Sequence, residues 1–492
     1  MTFDELLNLI SSKNAPRLCA DSRLVKAGDI FLAVKGTIYD GHSFIDQAIA
    51  NGAKYIVAEK YKADHEPPTT NHEVIIVDDS TKAAAFLSQA ARGNPASQLT
   101  NLAVTGTNGK TTVAFLVRSC IQNAGQKCGL IGTIFYDTGS VSSQADLTTP
   151  DCLAIADKQQ QMLKAGLKYM VIEASSHALA QNRLAGIKFK AAAFTNLSGD
   201  HLDYHKTKAD YLKAKTKLFQ SLPPDATAVL NKQSPEAKQI AEKTTAKILW
   251  YAVDEQADLT AHIESMDVNR TVFVLKYRES RVTSHESRVK TPLLGRFNVG
   301  NHLAAAGLCL AAGFDLETIA VGLSALQGVP GRLEKVSCSG HEPPVTSHIF
   351  IDYAHTDDAL KNVLLTLRTL CKGKLRVVFG CGGDRDRTKR PRMAKVAEQL
   401  ADFIIVSSDN PRTEETMAII EEIVAGFENP HSQKITIEPD RKKAIELVLK
   451  VAAKDDVVLI AGKGHENYQI IGKQKFDFSD KDIAEEFLKK RR

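Results

Sequence analysis

The sequence predicts an α/β protein of three domains, covering residues 1–97, 98–328 and 329–492. At 492 residues the chain exceeds what one hydrophobic core serves, and domain-size scaling divides it into about three units. Short apolar runs alternate with helical stretches along it, the rhythm of parallel sheets covered by helices. Two polar breaks, Gly93-Asn-Pro-Ala-Ser-Gln98 and Gly328-Val-Pro-Gly-Arg332, punctuate that rhythm.

In the first unit, Asp29-Ile-Phe-Leu-Ala-Val34 and Ile75-Ile-Val77 read as strands of a small α/β domain. In the second, Leu102–Val104, Tyr169–Ile172, Ala191–Phe194 and Ala226–Leu230 read as strands of a mainly parallel sheet with helices on both faces. The Ser-, Arg- and Glu-rich stretch from Tyr277 to Lys290 reads as an exposed hairpin or loop. In the third, Ile349–Asp352, Leu375–Phe379, Phe403–Val406 and Val457–Ile460 supply a doubly wound sheet. There is no internal repeat and no low-complexity tract.

Composition narrows the class. Hydrophobic content of 43% and charged content of 25% are those of ordinary globular proteins. The net charge of +5 is spread along the chain, so no nucleic-acid partner is indicated. The Phe487-Leu-Lys-Lys-Arg-Arg492 tail reads as a solvated helix end. No apolar run reaches about 18 residues and no leader pattern opens the chain, so neither membrane insertion nor export is expected. Eight irregularly placed cysteines without a C-x-x-C pair read as core residues in a reducing compartment, and a cytoplasmic location follows.

The chemistry begins at Thr105-Gly-Thr-Asn-Gly-Lys-Thr-Thr112, a glycine-bearing turn between the Leu102–Val104 strand and a helix. Such a turn aims backbone N–H groups and the helix's positive end at anionic oxygens. Lys110 can reach terminal phosphates, and the Thr111 hydroxyl suits Mg²⁺. The full phosphate-loop pattern asks for glycine where Val104 stands, but strand before and helix after support the assignment. Glu173 ends the Tyr169–Ile172 strand, where a carboxylate beside a phosphate loop can serve the same cation. His201, Asp203 and His205 crowd the end of the next strand and suggest a second metal position or substrate contacts. Taken alone, Lys213, Lys215 and Lys217 most simply form a solvated helix face. The Gly295-Arg-Phe-Asn-Val-Gly-Asn-His302 stretch is a weak candidate for part of a nucleotide pocket. In the third unit, Gly380–Arg385, Ser408–Arg412 and Ala461–Glu466 each follow a strand, and three polar loops at one sheet edge point to a ligand crevice.

Together these motifs resemble those of the Mur ligases. The resemblance rests on Asp21-Ser-Arg23, Gly28-Asp-Ile-Phe31, Gly106–Thr112, Glu173-Ala-Ser-Ser-His177, Thr195–Ser198 and Asp200–His205. It continues through Asn298, Asn301, Pro330-Gly-Arg332, Asp352-Tyr-Ala-His355, Gly382-Gly-Asp-Arg385, Asp409-Asn-Pro-Arg412 and Gly462-Lys-Gly-His-Glu466. The last three motifs mark the tripeptide-forming branch. The resemblance implies an N-terminal domain for a UDP-sugar peptide, a central ATPase and a C-terminal amino-acid domain. It also implies ATP-driven amide formation in peptidoglycan synthesis, through an acyl phosphate that an incoming diamino acid attacks.

By the same resemblance Gly106, Thr107, Asn108, Gly109, Lys110, Thr111 and Thr112 hold the phosphates of ATP. Asn301, Arg332, Asp352 and His355 fall at nucleotide-contact positions. Thr111 and Glu173 match ligands of one Mg²⁺ and His201 of a second, while Lys215 becomes a CO₂-carbamylated residue supporting the metals. Lys110, His201 and Lys215 are thus the implied catalytic set. Ser22, Thr148, Thr149, Ser175, Gln181 and Arg183 match contacts to the UDP-muramoyl dipeptide. Arg385, Asp409, Asn410, Pro411, Arg412, Gly462 and Glu466 match the amino-acid site. A guanidinium at Arg412 pairs bidentately with the distal carboxylate of diaminopimelate, which lysine lacks. Thr37-Ile-Tyr39, Leu147 and Gly199 depart from the family pattern and affect the sugar and uracil contacts. The rival readings are a lysine-adding ligase, a folylpolyglutamate synthetase-like ligase, and a kinase or nucleotide switch. The protein is expected to act as a monomer.

Overall fold

The computed structural model describes residues 1–12, 15–36, 39–60, 72–199, 202–280, 283–336 and 347–490. Three separate main sheets organise it. The first has four parallel strands in chain order, Leu18–Cys19, Ile30–Leu32, Tyr55–Ala58 and Glu73–Ile76. Ile30–Leu32 is buried throughout, as the apolar run around it requires. Thr2 and Glu5 form a reciprocal cap on the helix Phe3–Ile10, and Asp79 caps the helix Ser80–Ala90. That second helix packs on Cys152–Lys164 of the next sheet layer, where buried Gln89 donates to Gln159 at 2.7 Å.

The central sheet has eleven strands with Thr100–Thr105 in its middle. Phe189–Phe194, Thr227–Asn231, Lys247–Val253 and Leu259–Met266 continue it in parallel on one side, and Tyr169–Glu173 and Cys128–Ile131 on the other. Leu102 and Val104 face the helices Lys110–Asn123, Arg296–Ala311 and Leu316–Ala325. Ala103 faces Cys152–Lys164 and Lys208–Gln220, so the strand's side-chain alternation puts helices on both faces. The exposed segment near residue 280 is a hairpin: Thr271–Arg278 pairs antiparallel with Ser284–Thr291.

The third sheet runs Glu334–Lys335, His348–Asp352, Val457–Ala461, Leu375–Phe379, Phe403–Val406 and Ile435–Ile437, parallel apart from its first strand. Asp357–Leu370, Lys389–Leu400 and Thr416–Val424 cover one face. Arg441–Val451 and Asp480–Lys490 cover the other. Arg441 and Asp480 form a fully buried pair at 2.7 Å, and Arg441 also donates to the carbonyls of Ser408 and Ala461. Removing one partner of such a pair leaves a buried charge uncompensated. Asp480→Ala is therefore expected to destabilise this domain by about 3–5 kcal/mol, read as an earlier denaturant transition. An unchanged transition would show that water replaces the carboxylate. Among the described residues no helix is long and apolar enough to cross a membrane.

Candidate active site between two sheets

The phosphate loop sits at the carboxyl end of the central strand, as a parallel sheet dictates. Gly109, at φ +91°, precedes the helix Lys110–Asn123. A Cβ there would meet the Asn301 side-chain oxygen at 2.3 Å, and one at Gly106 would meet Thr195 Oγ1 at 1.9 Å. Both glycines are thus set by close packing. Thr195 Oγ1 donates to the Asn108 carbonyl at 2.6 Å, and Asn196 Oδ1 accepts the Asn108 N–H at 2.9 Å. Lys110 Nζ folds back over the loop, donating to the carbonyls of Gly106 and Thr107 at 2.9 Å. Thr112 and Thr107 are buried beside it.

Thr111 Oγ1 donates to Glu173 Oε2 at 3.0 Å, and Glu173 is fully buried. Two oxygens that close suit neighbouring ligands of a small octahedral cation with metal–oxygen distances of about 2.0–2.1 Å. The residues present therefore fit Mg²⁺. Glu173 also accepts the N–H and hydroxyl of Thr133, at 2.8 and 2.9 Å, which fixes its orientation. Arg332 reaches across from the third domain, donating from Nη2 to Thr111 Oγ1 at 3.1 Å.

Of the three helix lysines, Lys213 and Lys217 are exposed but Lys215 is buried at 1% exposure, so the solvated-face reading fails there. The reason is the helical period: Lys215 shares a face with buried Tyr211 and Phe219, four residues away on either side. Its Nζ donates to the Gly106 carbonyl at 2.8 Å, placing it directly behind the phosphate loop. His201 lies outside the described residues.

A cavity of about 470 Å³ opens beside the phosphate loop. Asn108, Gly109 and Thr112 line it from the central domain together with Asn301, while Arg332, Asp352 and His355 line it from the third. Asp352 accepts the N–H groups of Leu333 and Ala354, at 2.6 and 2.7 Å, and burial raises its carboxyl above the usual range. Asp352 therefore organises the Gly331–Leu333 break as well as lining the cavity. A second cavity of about 480 Å³ shares Tyr353 and His355 with the first.

That second cavity contains Arg385, Asp409, Asn410, Arg412, Gly462 and Glu466, with Gly199 and His177 at its central-domain side. Pro411 is buried in the same loop without lining the cavity. Arg412 takes the left-handed conformation, φ +52°, and its Nη1 donates to the Gly383 carbonyl at 2.7 Å. Glu466 accepts from Asn410 Nδ2 at 2.9 Å and from buried Lys463 at 3.4 Å. Burial raises the Glu466 carboxyl's pKa despite that lysine. A guanidinium-bearing crevice with an acid opposite can hold a zwitterion carrying an extra carboxylate.

On the other side of Glu173, Thr149 Oγ1 donates to the Glu173 carbonyl at 2.6 Å and to Ser175 Oγ at 3.1 Å. Arg183 donates to the Thr149 carbonyl and to Gln181, each at 2.7 Å. Thr148 lies 3.1 Å from Thr133, oxygen to oxygen. These residues form one polar cluster next to the phosphate loop. Ser22 stands apart in the first sheet's domain, donating to Gln47 at 2.7 Å. Among the departures, Thr37 and Ile38 lie outside the described residues, Leu147 is exposed, and Gly199 borders open space.

Thr133 escaped sequence reasoning, since nothing in its neighbourhood signals a partner 40 residues on. Tyr353, which lines both cavities, lies within Asp352-Tyr-Ala-His355, where the sequence pattern gives it no role of its own.

Family models match most of the chain: Mur ligase family, catalytic domain, at residues 17–94; Mur ligase middle domain at 104–309; and Mur ligase, glutamate ligase domain, at 331–464. The chain is 42% identical over 478 residues to the UDP-N-acetylmuramoyl-L-alanyl-D-glutamate–2,6-diaminopimelate ligase of Geobacillus kaustophilus, covering 96% of this chain and 94% of that one. The protein of the same name from Gloeobacter violaceus is 43% identical over 477 residues, with 96% and 94% covered. A solved structure of a ligase of that name matches at TM-score 0.67 and 32% identity, covering 100% of this chain and 99% of the other. The Thermotoga maritima MurF ligase in complex with ADP shares the fold at TM-score 0.62 and 20% identity, covering 99% and 100%.

Proposed function

The chain belongs to the Mur ligase family, and from that premise we propose that it joins meso-diaminopimelate to UDP-N-acetylmuramoyl-L-alanyl-D-glutamate in an ATP-dependent reaction of peptidoglycan precursor synthesis. One observation carries the reading: a phosphate-loop cavity and an arginine-bearing cavity meet at Tyr353 and His355. A nucleotide in the first and an amino acid in the second would meet at that wall. We assign residues 1–97 to the UDP-sugar, 98–328 to ATP and 329–492 to the amino acid.

The D-glutamyl γ-carboxylate resists attack by an amine until one oxygen becomes a leaving group. Transfer of the γ-phosphoryl group to that oxygen gives an acyl phosphate and ADP, and the amine then displaces phosphate. Both steps depend on positioning and on neutralising charge. Lys110 and the N–H groups of Gly106–Thr112 hold the phosphates, while Asn301, Arg332, Asp352 and His355 hold the rest of the nucleotide. Thr111 and Glu173 would hold one Mg²⁺ and His201 a second, and the ions would supply further charge neutralisation. Ser22, Thr148, Thr149, Ser175, Gln181 and Arg183 orient the UDP-muramoyl dipeptide. Arg385, Asp409, Asn410, Arg412, Gly462 and Glu466 orient the amino acid. The protein works as a cytoplasmic monomer.

Lys215 is carbamylated in this reading: the ammonium first gives up one proton, and the neutral amine then adds to CO₂ and loses a second, so a buried cation becomes an anion beside the metals. Lys215→Ala is then expected to lose activity and to regain part of it with added short carboxylates. A fully active Lys215→Ala protein would remove Lys215 from the site. For the function itself, ADP release is measured with the UDP-muramoyl dipeptide and a panel of amino acids. Turnover with meso-diaminopimelate well above that with lysine is expected. Preference for lysine or glutamate would overturn the substrate assignment.

A further inference from the structure

Beneath the amino-acid cavity, one buried guanidinium joins the two loops that carry Arg385 and Arg412. Arg390, on the helix Lys389–Leu400, is 0% exposed. Its two terminal nitrogens donate to the two oxygens of Glu414, each at 2.9 Å. Nη1 also donates to Glu422 at 2.9 Å, and Nη2 to the Gly382 carbonyl at 3.3 Å. Glu414 accepts the Asp384 N–H at 2.6 Å, and Asp384 accepts the Thr413 hydroxyl at 2.7 Å.

The loops also touch backbone to backbone. Gly383 N–H donates to the Asn410 carbonyl at 2.9 Å, and a Cβ on Gly383 would stand 1.9 Å from the Pro411 carbonyl oxygen. The strands that launch the two loops, Leu375–Phe379 and Phe403–Val406, are sheet neighbours, so backbone pairing alone brings the loops close. It does not fix their tips.

Neither Arg390 nor Glu414 lines the nucleotide or the amino-acid cavity described above, so both act on the reactants only through the loops. A buried ion pair is weak evidence of added stability, because apolar side chains of the same volume do as well. What a guanidinium contributes is direction, since its N–H groups lie in one plane at set angles. Here those angles reach one loop through Gly382 and the other through Glu414. We propose that Arg390 and Glu414 are positioning residues that set the spacing of Arg385 and Arg412, and with it the preference for an amino acid bearing a distal carboxylate.

This deepens the reading above and rests on it. Bidentate recognition of a carboxylate holds only within about 0.5 Å and 10–20°, so a small slip between the loops is felt by that group first. The Arg390 fork also holds the Glu414 carboxyl down at about 2, so the clasp stays charged at neutral pH.

The test compares Glu414→Gln, which keeps the volume, Arg390→Lys, which keeps the charge without the fork, and the surface variant Thr413→Val. KM and kcat are measured for meso-diaminopimelate, lysine and ATP, with calorimetric binding of meso-diaminopimelate and thermal unfolding alongside. Glu414→Gln and Arg390→Lys are expected to raise the diaminopimelate KM roughly 10- to 100-fold, with kcat and the ATP KM within about twofold of wild type. Use of lysine should change little, so the preference narrows. Thr413→Val should move the diaminopimelate KM the same way by roughly threefold.

A folded variant with an unchanged diaminopimelate KM overturns the proposal, as does an ATP KM that rises in step. If the two clasp variants do not fold, Thr413→Val decides, and an unchanged KM there overturns it. Should wild type prefer another amino acid, the substrate reading fails separately, and the loops are scored on the KM of that amino acid.

Discussion

Lys110→Ala yields a folded protein that barely turns over ATP. Lys110 is partly exposed and its Nζ donates to the carbonyls of Gly106 and Thr107, so its side chain lies over the loop rather than in the apolar core. What disappears is a cation placed where phosphate charge builds up during transfer. Removing one preorganised group of that kind costs roughly 10²–10³ in kcat. Thermal unfolding should stay near the wild-type temperature while ADP release falls by that factor. Near wild-type turnover would remove the nucleotide from this loop.

Arg412→Ala is expected to act on the amino acid alone. The guanidinium is partly exposed and becomes desolvated only when a ligand covers it. Losing a desolvated bidentate pair costs about 2–5 kcal/mol, or roughly 30- to several-thousand-fold in kcat/KM. The loss should fall on meso-diaminopimelate and sit mostly in KM, with ATP and UDP-substrate affinities nearly unchanged. Lysine has no carboxylate to lose, so its use should decline far less. Equal losses for both amino acids would show that Arg412 supports the loop rather than selecting the ligand.

Apolar runs located the parallel strands well, because a strand buried on both faces has few polar positions. Val457–Ala461 and Leu375–Phe379 are buried throughout and were evident on that ground. Leu259–Met266 was not, since three of its eight residues are exposed and it runs into an antiparallel edge. Nothing in local pattern tells that Val457–Ala461 inserts between His348–Asp352 and Leu375–Phe379. At the site, loops after strands marked the phosphate loop and the arginine crevice, since parallel sheets place function at that edge. Lys215 shows the limit of charge patterning: its burial followed from the period shared with Tyr211 and Phe219. Arg390, Glu414 and Thr133 carry no local signal, because the pairs that define them, Arg390–Glu414 and Thr133–Glu173, span 24 and 40 residues.

Tyr353 and His355 have a consequence for inhibitor design. Both line each of two cavities, of about 470 and 480 Å³. A compound joining a nucleotide-like head to a dicarboxylate amine through a short linker would make its second contact intramolecularly. The gain is one of effective concentration, reaching millimolar for a short flexible linker of matching span, so two weak fragments would combine into a tight one. Resistance by change at either cavity alone would leave the other half bound.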